Sequence, residues 1–245
     1  MNLSSNLLKI IAEGTERLRH RCGDKAVFEA RLLLGIATGS HEALYPHMST
    51  YPTEQQIEQY KTLISQRCAG KPISRIRGWR EFWSLRFYLN RATLDPRPES
   101  ELLVEKAVSF AVSQQKTHNS QIRLLDLGTG SGCLLLACLS ELIHATGVGI
   151  DINDQAVFQA RANARSMHLE ARSKFFVSDW FDNLRDNNFD IILCNPPYIS
   201  ADEQESLQDE VRLFDPTQAL FSKNQGLADY EIIFPSLLRY LNPSG

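Results

Sequence analysis

Two short segments concentrate groups suited to holding a nucleoside and a planar amine. Asp126-Leu127-Gly128-Thr129-Gly130-Ser131-Gly132 sets three glycines at alternate positions behind an acid. Glycine lets the backbone turn tightly and admits a ligand where a Cβ would block it. The first amides of a following helix would then face that ligand. Asp151 lies 23 residues after Gly128, a spacing that suits a carboxylate accepting both hydroxyls of a ribose. The second segment is Asn195-Pro196-Pro197-Tyr198. The Asn195 side-chain oxygen and the neighbouring carbonyls form a row of acceptors, and the two prolines offer no N–H. Such a row fits a planar NH2 group, and Tyr198 can stack on it. Taken singly, each segment also reads as an ordinary turn.

Their value depends on what positions them. From residue 122 the pattern alternates: an apolar strand at 122–127, a helix at 131–143, a strand at 147–150, a helix at 153–167, and strands at 175–177 and 189–194. This alternation predicts an α/β fold with parallel strands and helices on both faces. Gly128, Asp151 and Asn195 then follow three strand ends and share one crevice.

The first 70 residues read as helices. One covers 3–21. A second starts at Asp24 as its cap and carries Val27, Ala30, Leu33, Leu34 and Ala37 before Gly39. A third opens with Thr53-Glu54-Gln55-Gln56, a capping box, and runs through Ile57, Tyr60, Ile64 and Cys68 to a stop at Gly70 and Pro72. Phe82, Trp83, Phe87 and Tyr88 predict a hairpin within 75–89 around a Ser84-Leu85 turn. Helix returns at 102–112. The division expected is a helical domain at 1–72, a hairpin and linker at 73–98, and an α/β domain at 99–245. The segment 226–241 reads as one helix with Tyr230, Ile233, Phe234, Leu237 and Leu241 on a face, closed by the turn Asn242-Pro243-Ser244-Gly245.

Composition narrows the class. The 245 residues hold 26 Lys+Arg against 29 Asp+Glu, a net charge of −3, and 43% are hydrophobic. That excludes a disordered tail, a collagen-like repeat and a strongly basic nucleic-acid coat. The longest apolar run, 133–139, has seven residues, against the roughly 18 of a membrane span. The start mixes Asn2, Ser4, Ser5 and Asn6 among leucines and soon meets Glu13 and Glu16, unlike a signal peptide. A cytoplasmic location is expected. Five cysteines with no C-x-x-C, and histidines scattered at 20, 41, 47, 118, 144 and 168, give no zinc spacing, so no metal is expected. Residues 67–97 carry eight Lys/Arg against Glu81 and Asp95, a basic face open to solvent or to a partner.

The glycine segment has Cys133 where a dinucleotide fingerprint needs its last glycine. It resembles motif I of class I S-adenosylmethionine-dependent methyltransferases. With Asn195-Pro196-Pro197-Tyr198 it resembles those that methylate exocyclic or side-chain amines. Adenine methyltransferases acting on nucleic acid, protein glutamine methyltransferases, and a non-catalytic cofactor-binding module remain open at this point. Further segments resemble the release-factor glutamine methyltransferases over roughly 25–245. They are Ala30-Arg31-Leu32-Leu33-Leu34, Arg80-Glu81-Phe82-Trp83-Ser84-Leu85 and Pro96-Arg97-Pro98-Glu99-Ser100-Glu101-Leu102-Leu103-Val104. Downstream come Ser178-Asp179-Trp180-Phe181, Glu210-Val211, Asp215-Pro216, Ala219-Leu220, and Gly226-Leu227 with Tyr230. Paralogues that methylate a ribosomal-protein glutamine show Pro-Arg-Ser-Pro in place of Pro-Arg-Pro-Glu. Asp95 and Arg86 depart from the family pattern, which favours an aliphatic residue and a proline there.

The resemblance implies a class I methyltransferase fold of Rossmann-like type, with a small N-terminal helical domain for substrate binding and a linking β-hairpin. The implied reaction moves a methyl group from S-adenosyl-L-methionine, leaving S-adenosyl-L-homocysteine, to the glutamine amide nitrogen in the GGQ motif of class I peptide chain release factors. Nucleic acid and membrane are not expected as partners. Asp126, Gly128, Thr129, Gly130, Ser131, Gly132, Asp151, Asp179, Trp180 and Asn195 are the implied cofactor residues. Asn195, Pro196, Pro197 and Tyr198 would hold the amide, with Asn195, Pro196 and Tyr198 catalytic. The acidic run 200–215 is expected as a loop of the docking surface rather than a fold element. The family sheet order 3-2-1-4-5-7-6 is encoded only as 3-2-1-4, so the chain reads as C-terminally truncated. The strand 189–194 is then expected as an exposed hydrophobic edge.

Overall fold

The computed structural model describes residues 3–40, 42–45, 51–118 and 121–243. Asn2, His41, His47, Ser244 and Gly245 lie outside the described residues. The chain divides into two compact units, Met1–Arg77 and Gly78–Gly245.

The first unit is helical: α1 (Leu3–Cys22), α2 (Ala26–Thr38), α3 (Glu54–Cys68) and α4 (Ile73–Arg77). Both bonds of the capping box form at α3, with the Gln56 amide donating to Thr53 Oγ1 at 3.3 Å and the Thr53 amide to Gln56 Oε1 at 2.8 Å. α2 ends on Gly39 at φ 84°. Asp24 is not a cap. It sits in a 3-10 turn, Gly23–Lys25, that α1 enters directly, and the residue before α2 is helical rather than extended, so no side chain can reach back over the first amides. Leu18, Leu33, Leu34 and Ile64 form the centre of this unit's core. Beside them Arg67, the first residue of the basic stretch, is buried and pairs with Glu29 at 2.6 Å.

The second unit opens with a hairpin, β1 (Trp79–Phe82) against β2 (Leu85–Tyr88). Phe82 faces Leu85, so the turn is Trp83-Ser84, one residue earlier than expected, and both have positive φ, 53° and 57°. A bulky residue resists that conformation, but Trp83 is held by two acids. Its amide donates to Glu101 at 2.8 Å and its indole N–H to Glu141 at 2.7 Å.

After α5 (Glu101–His118) come β3 (Arg123–Leu127), α6 (Cys133–Glu141), β4 (Thr146–Asp151), α7 (Asp154–Ser166), β5 (Ser173–Val177) and β6 (Ile191–Cys194). The four strands form a parallel sheet in the order β5-β4-β3-β6, the expected 3-2-1-4 arrangement. Leu124 packs on one face with Leu135 and Leu136 of α6, and Leu125, Leu127 and Ile150 on the other with Phe189 and Tyr240.

The remaining elements are α8 (Asp209–Phe214), α9 (Thr217–Leu220), α10 (Ala228–Ile233) and α11 (Leu237–Tyr240). Three expectations change here. The acidic run holds a 3-10 segment, Ala201–Ser206, and α8, and it ends in a buried Asp215, so it is partly a fold element. The single helix expected at 226–241 is divided by a 3-10 turn, Phe234–Ser236, around Pro235, which has no amide to donate. That leaves Phe234 61% exposed while Ile233 and Tyr240 are buried. The strand edge is also less bare than expected. Phe189 donates its amide to the Tyr240 carbonyl and accepts from the Asn242 amide, each at 2.8 Å, and Ile191 and Leu193 are buried. Among the described residues no helix is long and apolar enough to cross a membrane.

Candidate active site

Register brings three strand ends level, because Leu127 of β3 lies opposite Ile150 of β4 and Cys194 of β6. The chain leaves β3 through Gly128 and Gly130, at φ 67° and 55°, with the Thr129 amide bonded to the Ile150 carbonyl at 2.8 Å. Positive φ at alternate residues turns the loop across the strand ends. Gly132, at φ 81°, has another duty. A Cβ there would lie 3.1 Å from Leu136 and 3.3 Å from Ala160, so glycine permits the close approach of α6 to α7.

Asp126 is buried beneath this loop, and its Oδ2 accepts the Thr129 hydroxyl at 2.6 Å. Burial pushes its carboxyl up to about 7, opposed by the Thr129 hydroxyl and the Leu135 amide and reinforced by the charge of Asp151. Asp151 ends β4. Its two oxygens accept the amides of Gly130 at 2.8 Å and Asn153 at 2.9 Å. Burial raises its pKa and both amides oppose the rise. Asn153 in turn caps α7 by accepting the Gln155 amide at 2.9 Å.

Trp180 follows β5 at φ 40°, its ring 3.7 Å from where a Gly128 Cβ would stand. The buried Ser178 fixes this corner, donating to the Trp180 carbonyl at 2.7 Å and accepting the Asn183 amide at 3.0 Å. Asn195, Pro196 and Pro197 follow β6. The chain beyond them is pinned where Ile199 donates to the Leu220 carbonyl and accepts from the Ser222 amide, both at 3.0 Å.

These segments enclose one cleft of about 400 Å³, within the range of small-molecule sites. Gly128, Thr129, Gly130, Ser131, Asp151, Asp179, Trp180, Asn195, Pro196 and Pro197 line it. Asp126 and Gly132 are buried and lie outside the lining, as does Tyr198, which is 59% exposed. Two further stretches of the lining were not anticipated from the sequence. One is formed by Ala92, Leu94, Pro96, Arg97 and Ser100, the other by Gln218, Ala219, Phe221, Ser222 and Lys223, with Asp229 and Ile232 beyond. Pro96, Arg97, Ser100 and Ala219 belong to segments that stand out as motifs, but only the fold reveals that they line the cleft.

The cleft thus carries a carboxylate and a glycine loop at one end and an acceptor row at the other. Cys133 lines it too, but burial and the charge of Asp126 push its thiol up to about 12, so it stays protonated and is no nucleophile. Among the described residues no group of His, Cys, Asp and Glu is gathered as a metal site would need.

Comparison with known proteins fits this geometry. Residues 100–224 match the methyltransferase small domain, and residues 9–78 match the PrmC N-terminal domain. A release factor glutamine methyltransferase of Bradyrhizobium diazoefficiens is 40% identical over 94% of this chain and 76% of its own length. One from Caulobacter vibrioides is 34% identical over 99% of this chain and 83% of its own. Among solved structures, the hMettl16 catalytic domain in complex with a MAT2A 3′UTR hairpin superposes with a TM-score of 0.52 at 16% identity, covering 72% of this chain and 63% of that one. That likeness reports the fold. With its parallel sheet, its glycine loop and these relatives, the chain belongs to the release factor glutamine methyltransferase family.

Proposed function

We propose that this protein transfers a methyl group from S-adenosylmethionine to the side-chain amide nitrogen of a glutamine, the one in the GGQ motif of class I peptide chain release factors. The observation that carries the reading is that Asn195, Pro196 and Pro197 line the same cleft as Gly128, Gly130 and Asp151. The residues present fit the cofactor. A Cβ on Gly130 would meet nothing within 4 Å, so the loop leaves open space beside its backbone. Asp151 puts a carboxylate in the cleft lining, and the amides of Gly130 and Asn153 support its ionised form, which would attract a positive charge nearby. Bound there, the cofactor supplies an electrophilic methyl group on a sulfonium.

The protein's own contribution is mostly positional. Asp151 would hold the ribose hydroxyls, Gly128, Thr129, Gly130 and Ser131 the amino-acid portion, and Asp179 with Trp180 the adenine. Asp126 acts through Thr129, whose hydroxyl it accepts. Asn195 Oδ1 and the Pro196 carbonyl accept the two amide hydrogens of the substrate, which weakens amide conjugation and aims the nitrogen. Orientation of well-placed reactants can contribute up to roughly 7–11 kcal/mol. Pro196, Pro197, Phe221 and Ile232 surround the reaction with apolar surface and displace water. The nitrogen becomes strongly acidic as it gains the methyl, and its proton leaves along the hydrogen bond to Asn195 Oδ1 and on to water.

The test is methyl transfer assayed in parallel on release factor, on release factor with the GGQ glutamine replaced by alanine, on DNA and on RNA. Label in intact release factor alone is expected. Label in nucleic acid or in the alanine variant would overturn the reading.

A further inference from the structure

Asp215 is 3% exposed at its side chain, yet its carboxylate reaches a segment about 120 residues earlier. One oxygen accepts Arg97 Nη2, and the other accepts the backbone amide of Asp95 at 3.3 Å. Between them stands Pro96, which lines the cleft and has no amide of its own. One buried carboxylate therefore grips both neighbours of a cleft-wall residue. Arg97 lines the cleft as well, its side chain 34% exposed.

Downstream of Asp215, Gln218 and Ala219 of α9 also line the cleft. The far end of this segment is fixed by the two backbone bonds to Ile199, four residues after Asn195. Residues 215–222 are thus a strap, anchored to the Pro96 wall at one end and to the Asn195 wall at the other. A buried ion pair adds little stability over an apolar pair of similar size, but the planar guanidinium fork fixes distance and direction.

We propose that Arg97 and Asp215 are positioning residues, a latch that sets the spacing between Pro96 and the Asn195-Pro196-Pro197 row and so aims the acceptor amide. The proposal rests on reading the cleft as a methyl-transfer site. The cofactor end is braced by separate bonds, Asp151 to Gly130 and Ser178 to Trp180. Loosening the latch therefore disturbs the acceptor and spares the cofactor.

The test uses the full chain with Asp215→Asn, Arg97→Lys and the apolar pair Arg97→Met/Asp215→Leu. Thermal unfolding, S-adenosylhomocysteine affinity, and kcat and KM for release factor are measured for each. A fall in kcat/KM of about a hundredfold is expected, the effect of a misplacement of about 1 Å. Cofactor affinity should stay within about twofold, as for independent sites. The apolar pair leaves no lone buried charge, so it should unfold near the wild-type temperature and still turn over poorly. Wild-type kcat and KM in that pair would overturn the latch, and so would a loss of cofactor affinity that matches the loss of turnover. Should the apolar pair fail to fold, Asp215→Asn decides by the same criteria, since it keeps the size and the acceptor for Asp95. Should wild-type protein leave release factor unlabelled, the functional reading fails separately. The latch is then judged by kcat/KM on whichever acceptor the parallel assay labels.

Discussion

The backbone amide of Gly130 donates to the Asp151 carboxylate at 2.8 Å, so the acid ending β4 braces the glycine loop that follows β3. The other oxygen of Asp151 holds Asn153, the cap of α7. One side chain thus couples a loop, a strand end and a helix start around the same cleft.

Asp151→Ala should weaken S-adenosylhomocysteine binding about 10- to 100-fold, the worth of one hydrogen bond to a charged group. Asp151→Asn still accepts one amide and should fall between the two. Calorimetric titration checks both, and unchanged affinity in the alanine variant would contradict the role given to Asp151.

Asn195→Ala deletes a cleft-lining acceptor. Turnover should drop about 10²- to 10³-fold, as when a site loses one preorganised hydrogen-bonding group, while cofactor affinity is largely kept. Single-turnover methyl transfer with saturating cofactor separates the two effects. Full activity would remove Asn195 from the mechanism.

The sheet and the first half of the cleft were legible because their signals are local. Strand, glycine turn, helix and acid follow one another within 123–151, and the parallel register then aligns the strand ends. What was not legible depends on residues far apart in sequence. The Trp83-Ser84 turn runs against the propensity of tryptophan and is held by Glu101 and Glu141. Asp215 sits beyond Asp202, Glu203, Glu205, Asp209 and Glu210, all but the last exposed, and nothing nearby marks it as the buried member. Its partner Arg97 stands in the family-like proline segment, but by charge alone it is, like Arg67 in the first unit, one more member of a basic stretch. Charge runs describe composition, and pairing across the fold decides which members are inside.

Asp126 predicts a pH dependence of stability. Its carboxyl is raised to about 7 in the folded protein, against about 3.9 when unfolded. Between these values the folded state binds more protons, so its contribution is full below about pH 4, falls as pH rises, and is flat above about pH 7. Asp126→Asn removes this titration and still accepts the Thr129 hydroxyl. The stability of the variant relative to wild type should therefore grow from pH 4 to 7 and then level off. Urea unfolding at several pH values measures the gap, and a gap independent of pH would refute the assignment. Asp151 is present in both proteins, so its own titration largely cancels.

Gly226 offers the sharpest steric test near the acceptor row. It sits at φ 86°, after Asn224 and Gln225 at 53° and 55°, in a left-handed turn under Tyr198. A Cβ there would lie 2.2 Å from the Tyr198 carbonyl oxygen and 2.9 Å from its carbon, backbone atoms that cannot swing aside. Gly39 provides the control, because it has a similar φ of 84° but nothing within 4 Å of its Cβ position. Gly39→Ala should carry only the left-handed penalty of about 1–2 kcal/mol. Gly226→Ala should lose more stability than that and should also lose turnover, because relieving the clash moves the Pro197-Tyr198 backbone away from its place beside Asn195. Thermal unfolding and initial rates on the two variants make the comparison. Equal destabilisation with normal rates in Gly226→Ala would show that the contact under Tyr198 does not shape the cleft.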